Sequence, residues 1–329
     1  MNTMNFSSSS RRTFLQQIAL LGIALPLPLT SCSSAPEKDR QTSTDKKRPF
    51  RISLNVSTIS GFKIPIEEQI KLSAVAGFEG IELWLSDVND YVKSGGDVKD
   101  LNKLLQDNGL ILENIIGFSN WLSNDPQTSA QGIAQMKKDM ELTAQLGGHH
   151  IAATGIGLDV FLPENIELYG KQFAEIIHFG ASCQVTPLLE LWGHGILNKL
   201  WKVLSIASES QSPDAKFLLD FYHLHAGGNS FSELTLLNGT SLPVFHINDY
   251  PGDIPVETVA DSDRVYPGDG ACPFDEIIPR LYQTGFRGAL SLELFNVSYW
   301  NNGTPKQVLD TGYKKTVEVI DRALSNYKS

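Results

Sequence analysis

Short apolar runs alternate with longer amphipathic stretches from residue 50 to the C-terminus. The short runs predict buried strands, and the stretches between them, with apolar residues three and four positions apart, predict helices. In the first unit, for example, a strand is followed by Pro65, which opens a helix that Gly77 closes. The predicted strands are Arg51–Val56, Gly80–Trp84, Ile111–Gly117, His150–Thr154, Val185–Leu191, Lys216–Phe221, Leu242–Ile247 and Ala289–Leu294.

A predicted helix follows each of these strands. Beyond the helix that begins at Pro65, they lie at Val98–Asp107, around Ile133–Met140, and at Glu164–Ser182, Leu197–Ser208, Phe231–Leu237, Phe274–Thr284 and Pro305–Tyr327. Alternating strands and helices indicate an α/β protein with a parallel sheet. Eight such units predict a closed (β/α)8 TIM barrel, formed by residues 50–329 as a single domain, rather than an open doubly wound sheet.

The first 32 residues have the pattern of a signal peptide and are set apart from the fold. Ser10–Gln16 resembles a twin-arginine export signal, and the apolar stretch Ile18–Leu29 is too short for a confident membrane span. The next residues resemble a lipobox, so Cys32 is the predicted lipidation site and residues 33–49 a flexible tether. The expectation is an exported periplasmic or membrane-anchored lipoprotein whose only membrane contact is its lipid. The alternative is ordinary signal-peptidase cleavage, with Cys32 incidental.

The composition adds few constraints. Apolar residues make up 41% and charged residues 19%, as in ordinary globular proteins. The formal net charge is −10, and the signal region contributes Arg11 and Arg12 but no acid. This acidic balance argues against nucleic-acid binding, which needs a basic surface. Cys183 and Cys272 could pair, which the sequence alone does not decide.

Four consecutive predicted strands end in residues that can bind metal: Glu190, Asp220, His246 and Glu293. The C-terminal ends of barrel strands meet on one face, so these side chains are expected to converge there. Three uncompensated carboxylates would repel one another, and a divalent cation removes that cost. Oxygen-rich ligation with one imidazole suits Mn²⁺ first, with Co²⁺, Mg²⁺ or Zn²⁺ as alternatives. The competing interpretation is a set of ordinary surface charges at strand ends.

Several motifs carry a family resemblance: Leu219–Ala226, His246–Asp249, Asp263–Gly270 and Ser291–Trp300. Together they resemble the xylose-isomerase-like sugar phosphate isomerase/epimerase superfamily, and most of all its inosose (2-keto-myo-inositol) isomerase branch. The resemblance implies that Glu190, Asp220, His246 and Glu293 are the metal ligands and that His223 and Arg264 contact substrate. The ketose 3-epimerase branch has a second Glu shortly after the first ligand, which the segment Trp192–Ile196 lacks.

The implied activity is isomerisation or epimerisation of a small-molecule keto-sugar or keto-inositol through a metal-bound enediolate. The metal would polarise the ketone, Glu190 or Glu293 would remove the neighbouring proton, and the other Glu or His223 would return it. A leaving group beside the enolate would instead make the protein a lyase or hydratase on 3-keto-glycosides. A sugar-binding lipoprotein without turnover is the alternative from another class. The oligomeric state stays open.

Other residues near the predicted mouth are candidates for substrate contact: Trp84, Trp121, His194 and His225. Packing in the core or at the rim is the alternative for both tryptophans. Asp249 is expected to orient His246 rather than bind metal. The long connection from Asp249 to Pro273 predicts a substrate lid that carries Arg264. In the alternative, Arg264 forms a salt bridge to Asp261 or Asp263 that only stiffens this connection.

Overall fold

Eight parallel strands close into a barrel in which each strand pairs with its neighbours in chain order and the last pairs with the first. The computed structural model describes residues 48–328. Its strands are β1 (Arg51–Asn55), β2 (Gly80–Trp84), β3 (Ile111–Ile116), β4 (His150–Ala153), β5 (Thr186–Glu190), β6 (Lys216–Asp220), β7 (Val244–Ile247) and β8 (Ala289–Leu292). The predicted TIM barrel is confirmed. The predicted signal peptide, Cys32 and nearly all of the tether lie outside the described residues.

Ten α-helices accompany the strands in the described residues. They are α1 (Ile66–Ala76), α2 (Leu85–Lys93), α3 (Val98–Asp107), α4 (Pro126–Gln145), α5 (Ile166–Cys183), α6 (Leu200–Glu209), α7 (Phe221–Ala226), α8 (Phe274–Gln283), α9 (Val297–Asn302) and α10 (Pro305–Lys328). The sequence pattern missed α2, α7 and α9, which are too short to show a clear helical period. The helix expected near Phe231 is a 3₁₀ helix, Phe231–Leu236.

The barrel interior is apolar on one side and polar on the other. The apolar cluster, from β3 to β7, consists of Ile116, Ala152, Leu188, Leu218 and Val244. The polar side is buried as well, and its strand register aligns Asn55 with Glu82, Glu82 with Asn114, and His246 with Ser291. Buried polar groups are tolerated only where they bond to one another or to a ligand. We therefore expect the functional site on the polar side of the barrel interior.

The long connection between β7 and α8 is fixed to the barrel by Asp249. Its backbone pairs with Val265 in an antiparallel bridge. Its buried carboxylate accepts hydrogen bonds of 2.8–2.9 Å from the backbone N–H groups of Tyr250, Gly268, Gly270 and Cys272. Gly268 has φ +89°, which favours glycine. The expectation that Asp249 orients His246 is wrong, because its oxygens hold the connection instead.

Two further observations concern the cysteines and possible membrane-spanning helices. Cys183 and Cys272 are both free thiols, so they do not pair. Among residues 48–328, no helix combines the length and the apolar character that crossing a bilayer requires.

Replacing Asp249 by alanine would leave buried N–H groups of the connection without an acceptor. We expect Asp249→Ala to lower the free energy of unfolding by about 3 kcal/mol, a value set by the desolvation of those groups. Asp253→Ala, at an exposed position of the same connection, is the control and should change it by less than about 0.5 kcal/mol. Urea denaturation measures both. Equal, small effects in the two variants would contradict the anchoring role.

Candidate metal and substrate site

Strands β6, β7 and β8 bring three potential metal ligands together at the C-terminal mouth. Asp220 ends β6 and stands beside His246 in the register of β7, and Glu293 follows β8 directly. Each of the three offers one ligand atom, and these atoms lie within 4.8 Å of one another in a fully buried group. Glu190, at the end of β5, is buried beside them but outside that compact set. The structure thus brings together the strand-end residues predicted from the sequence.

Glu82 on β2 orients the His246 ring. His246 Nε2 lies 3.1 Å from Glu82 Oε1 and 3.2 Å from Oε2. Its Nδ1 points to the ligand cluster, 3.1 Å from Glu293 Oε2 and 3.5 Å from Asp220 Oδ2, but makes no hydrogen bond to a described residue. Burial alone would lower the pKa of His246, but the carboxylates of Glu293 and Glu82 raise it well above its usual value. Such a carboxylate–histidine pair orients the ring so that Nδ1, once it has lost its proton, can bind a metal ion.

The Arg264 guanidinium neutralises the carboxylates of Asp220 and Glu293. Its Nη1 donates to Glu293 Oε2 at 2.6 Å and to Asp220 Oδ2 at 3.1 Å, and its side chain is only 1% exposed. Burial alone would raise the pKa of Asp220, but the guanidinium charge holds it well below the usual range. Asn248 adds a 2.9 Å hydrogen bond to Asp220 Oδ2. These bonds offset most of the cost of burying the acids.

Two aromatic rings and a further acid hold Arg264 in place. Its guanidinium lies between the Tyr222 and Phe295 rings, at 4.3 and 5.1 Å from their centroids. Its Nη2 also donates to Asp261. The two interpretations offered by the sequence therefore coexist, since Arg264 forms the salt bridge to Asp261 and also enters the site. Whether the connection opens as a lid stays a prediction.

The position of Arg264 also fixes the tautomer of His223. Arg264 Nη2 donates to His223 Nε2 at 3.0 Å, so this nitrogen is the acceptor and Nδ1 carries the proton. Burial and the adjacent guanidinium lower the pKa of His223 to about 3. Within the described residues, Nδ1 has no hydrogen-bond partner. His223 therefore presents one neutral N–H donor to the site.

Glu190 is a buried acid with a raised pKa. Burial, together with the nearby carboxylate of Glu293, raises its pKa to about 8, although His246 opposes this. Its Oε2 is buried without a hydrogen-bond partner among the described residues. Near neutral pH, Glu190 thus holds a proton that it can release.

Asn55, at the end of β1, orients Glu293. Its Nδ2 donates to Glu293 Oε1 at 2.9 Å, and its Oδ1 accepts from Trp84 Nε1 at 3.1 Å. The Trp84 indole thereby fixes the amide orientation, and the amide fixes the carboxylate.

A cavity of about 560 Å³ opens above these groups. It is lined by the candidates Glu190, Glu293, His223, Arg264, Trp84 and His194. Two predicted substrate contacts are wrong because they do not line it: Trp121 and His225. The backbone before Trp121 packs tightly on α4, so the buried indole faces Phe173 in the helical layer. His225 instead stacks on Tyr250, with ring centroids 3.7 Å apart.

The donor set fits a divalent cation. Asp220 and Glu293 offer carboxylate oxygens, and His246 offers a nitrogen whose orientation Glu82 fixes. The unpaired Oε2 of Glu190 is a fourth donor beside them. Oxygen-rich sets with one imidazole bind Mn²⁺, Mg²⁺, Co²⁺ or Zn²⁺.

Sequence reasoning missed three residues on the polar side of the barrel: Asn55, Glu82 and Asn114. Asn114 Nδ2 donates to Glu82 Oε2 at 2.9 Å, so the three belong to the network behind His246 and Glu293. The available signal was a polar residue in each of the first three strands, since Asn55 ends β1, Glu82 lies inside β2 and Asn114 lies inside β3. In a barrel strand such a residue is a candidate for the interior.

Similar proteins carry the same fold and related names. Inosose isomerase of Bacillus subtilis (strain 168) is 27% identical over 220 residues, covering 66% of this chain and 77% of the relative. D-psicose 3-epimerase of Agrobacterium fabrum is 25% identical over 242 residues, covering 69% and 78%. The crystal structure of IolI protein with a bound zinc atom superimposes with a TM-score of 0.76 at 22% identity, covering 83% of this chain and 99% of that one.

The family described as Xylose isomerase-like TIM barrel matches residues 70–322. This range contains the strand-end cluster and seven of the eight strands, from β2 to β8. The chain therefore belongs to the xylose isomerase-like TIM barrel family.

Proposed function

We propose that this protein is a divalent-metal-dependent isomerase or epimerase of a keto-sugar or keto-inositol. The observation that carries the proposal is the convergence of two buried glutamates, Glu190 and Glu293, on one cavity with an imidazole donor and a guanidinium. Moving a proton between neighbouring carbons needs two groups that can take and return a proton close to the same substrate atoms. The similarity to inosose isomerases supports the choice of substrate class.

Asp220, His246, Glu293 and Glu190 would hold the ion. When bound, the ion would act as a Lewis acid on a ketone oxygen and the adjacent hydroxyl. Mn²⁺ is the proposed ion, and the zinc atom of the IolI structure makes Zn²⁺ the first alternative.

Two glutamates and a histidine of the chain have different proposed roles in proton transfer. Glu293, held by Asn55 and Arg264, is the proposed base that takes the C–H proton. Glu190, on the same cavity, is the proposed group that returns a proton at the neighbouring carbon or the opposite face. His223 Nδ1–H donates a hydrogen bond to a substrate oxygen. Its low pKa makes it a donor rather than a proton shuttle.

Solvent deuterium should enter 2-keto-myo-inositol at the carbon beside the ketone when the metal-loaded protein is present. The proton removed by the base then exchanges with solvent before it is returned. In Glu293→Gln, which keeps a ligand oxygen but no base, the exchange rate should fall by roughly a factor of 10² to 10⁴. Proton NMR follows the loss of the proton signal at this carbon.

Near-normal exchange in Glu293→Gln rejects the role of this residue as the base. If the substrate loses a substituent, the protein is a lyase. If a keto-sugar or cyclitol binds and none of them exchanges deuterium, the protein is a sugar-binding protein.

The protonation of Glu190 predicts how metal binding depends on pH. The pKa of about 8 means that Glu190 is protonated at lower pH, whereas a metal ligand must be deprotonated. Affinity for about one divalent ion per chain should therefore rise as the pH increases towards about 8. The pKa of His246 is also raised, so this ring can release a proton in both proteins. Wild type additionally releases the proton of Glu190, about one proton more than Glu190→Gln.

Isothermal titration calorimetry in two buffers of different ionisation enthalpy measures this release. Asp220→Ala should lose the ion, whereas Asp107→Ala, at an exposed position of α3, should bind it as wild type does. Unchanged proton release in Glu190→Gln, or full metal occupancy in Asp220→Ala, would contradict the ligand assignment.

We also propose that the protein is exported and anchored through a lipid at Cys32. Cys32→Ala should release it from the membrane fraction, because the proposed anchor is then missing. The double change Arg11→Lys with Arg12→Lys should leave precursor in the cytoplasm, while Arg40→Lys in the tether should have no effect. Cell fractionation with immunoblotting detects both effects. Export of the double variant through the general secretory route would refute the twin-arginine signal.

A further inference from the structure

The cavity has two chemically different halves. Its floor carries the ionisable groups described above, Glu190, His223, Arg264 and Glu293. The outer lining is apolar and comes from the ends of β2 and β3 and from the loops after β3, β4, β5 and β8: Trp84, Ile116, Phe118, Ile156, Leu158, Trp192, Ile196, Leu197 and Phe295. A free sugar or cyclitol carries hydroxyl groups around its whole ring, so it matches the floor better than this extended apolar lining.

Aromatic rings form a continuous arc around this outer half. Phe118 lies edge-on to Trp84 at 5.6 Å between centroids and tilted against Trp192 at 5.9 Å. Trp84 continues the arc to Phe295 at 6.3 Å, and Trp192 continues it to His223 at 6.2 Å. Rings in such an arc present faces and edges on which a further ring can pack.

Two apolar side chains at the mouth are exposed. Phe118 is 41% exposed and Ile156 39% exposed, although both line the cavity. The position of Ile156 is set by close packing on either side. A Cβ at Gly155 would lie 2.7 Å from Leu197, and one at Gly157 would lie 2.8 Å from the carbonyl oxygen of Leu122. The loop is therefore built to present Ile156 at this place.

The outer half offers few partners for hydroxyl groups. Among its lining side chains, His194 is polar, and its Nε2 is engaged with the Tyr222 hydroxyl at 2.7 Å. Asp261 is paired with Arg264. Sugar hydroxyls placed there would lose water without a replacement, which is unfavourable. The volume of about 560 Å³ also falls within the range of about 300–1,000 Å³ typical of sites for drug-sized ligands.

We infer that the substrate is a keto-sugar whose ring carries a bulky apolar substituent, such as the aromatic aglycone of a keto-glycoside. The inference rests on the proposed function for the reacting end of the molecule. The keto-sugar ring occupies the floor, and the substituent lies against Phe118, Ile156 and Trp192. Packing a ring there removes apolar surface from water on both partners.

Binding tests this preference separately from turnover. Phenyl, cyclohexyl and methyl 3-keto-β-glucosides are titrated into the metal-loaded protein, and calorimetry gives each dissociation constant. The phenyl and cyclohexyl compounds should bind roughly ten-fold or more tightly than the methyl compound. Phe118→Ser and Ile156→Ser should bring this ratio towards one. Leu236→Ser, at an 81% exposed position outside the cavity, should preserve it.

Each outcome has a separate meaning. Equal binding of the phenyl and methyl compounds, or a ratio that survives both serine variants, overturns the inference. A dimer that dissociates in Phe118→Ser or Ile156→Ser, seen by light scattering, overturns it as well, because the exposed residues then serve an interface. If the ratio behaves as expected but no keto-sugar or cyclitol exchanges deuterium, the proposed function fails while the substituent pocket stands.

Discussion

Charge compensation inside the barrel mouth is the constraint on which the rest of the structure depends. Asp220, Glu293 and Glu82 are buried acids, and the described chain offers them two cations, the Arg264 guanidinium and the His246 ring. Removing one partner of a buried pair leaves a charge that neither water nor protein solvates. The cations must therefore be held as firmly as the acids.

This requirement explains the architecture of the connection after β7. The backbone that carries Arg264 leaves the barrel, yet the guanidinium must return to Asp220 and Glu293. Asp249 makes the return possible, because one buried carboxylate collects four backbone N–H groups of the connection. A divalent ion held by Asp220 and Glu293 would share these two carboxylates with Arg264. Metal loading and the position of Arg264 are thus electrostatically coupled.

The barrel and the strand-end residues could be predicted from the sequence, because a metal-binding side chain at or near the end of an apolar run is a local feature. Glu82, Asn55 and Asn114 were missed because their importance depends on which strand faces point inward, which barrel closure and register decide. Trp121 was misjudged for the same reason. Trp84 ends β2, whereas Trp121 follows β3 in a loop that is pressed onto α4. This packing turns the indole of Trp121 into the helical layer.

The two halves of the cavity come from different parts of the fold. The strands β5 to β8 and the residues just after them supply the groups that we propose bind metal and move protons, in positions fixed by the sheet. Most of the apolar wall comes from the loops after β3, β4 and β5, which can vary without disturbing that register. Family membership therefore bears on the chemistry of the floor, whereas the substrate must be inferred from the wall. A relative that shares the four strand-end ligands but has polar residues in place of Phe118 and Ile156 would share the reaction type and differ in what it accepts.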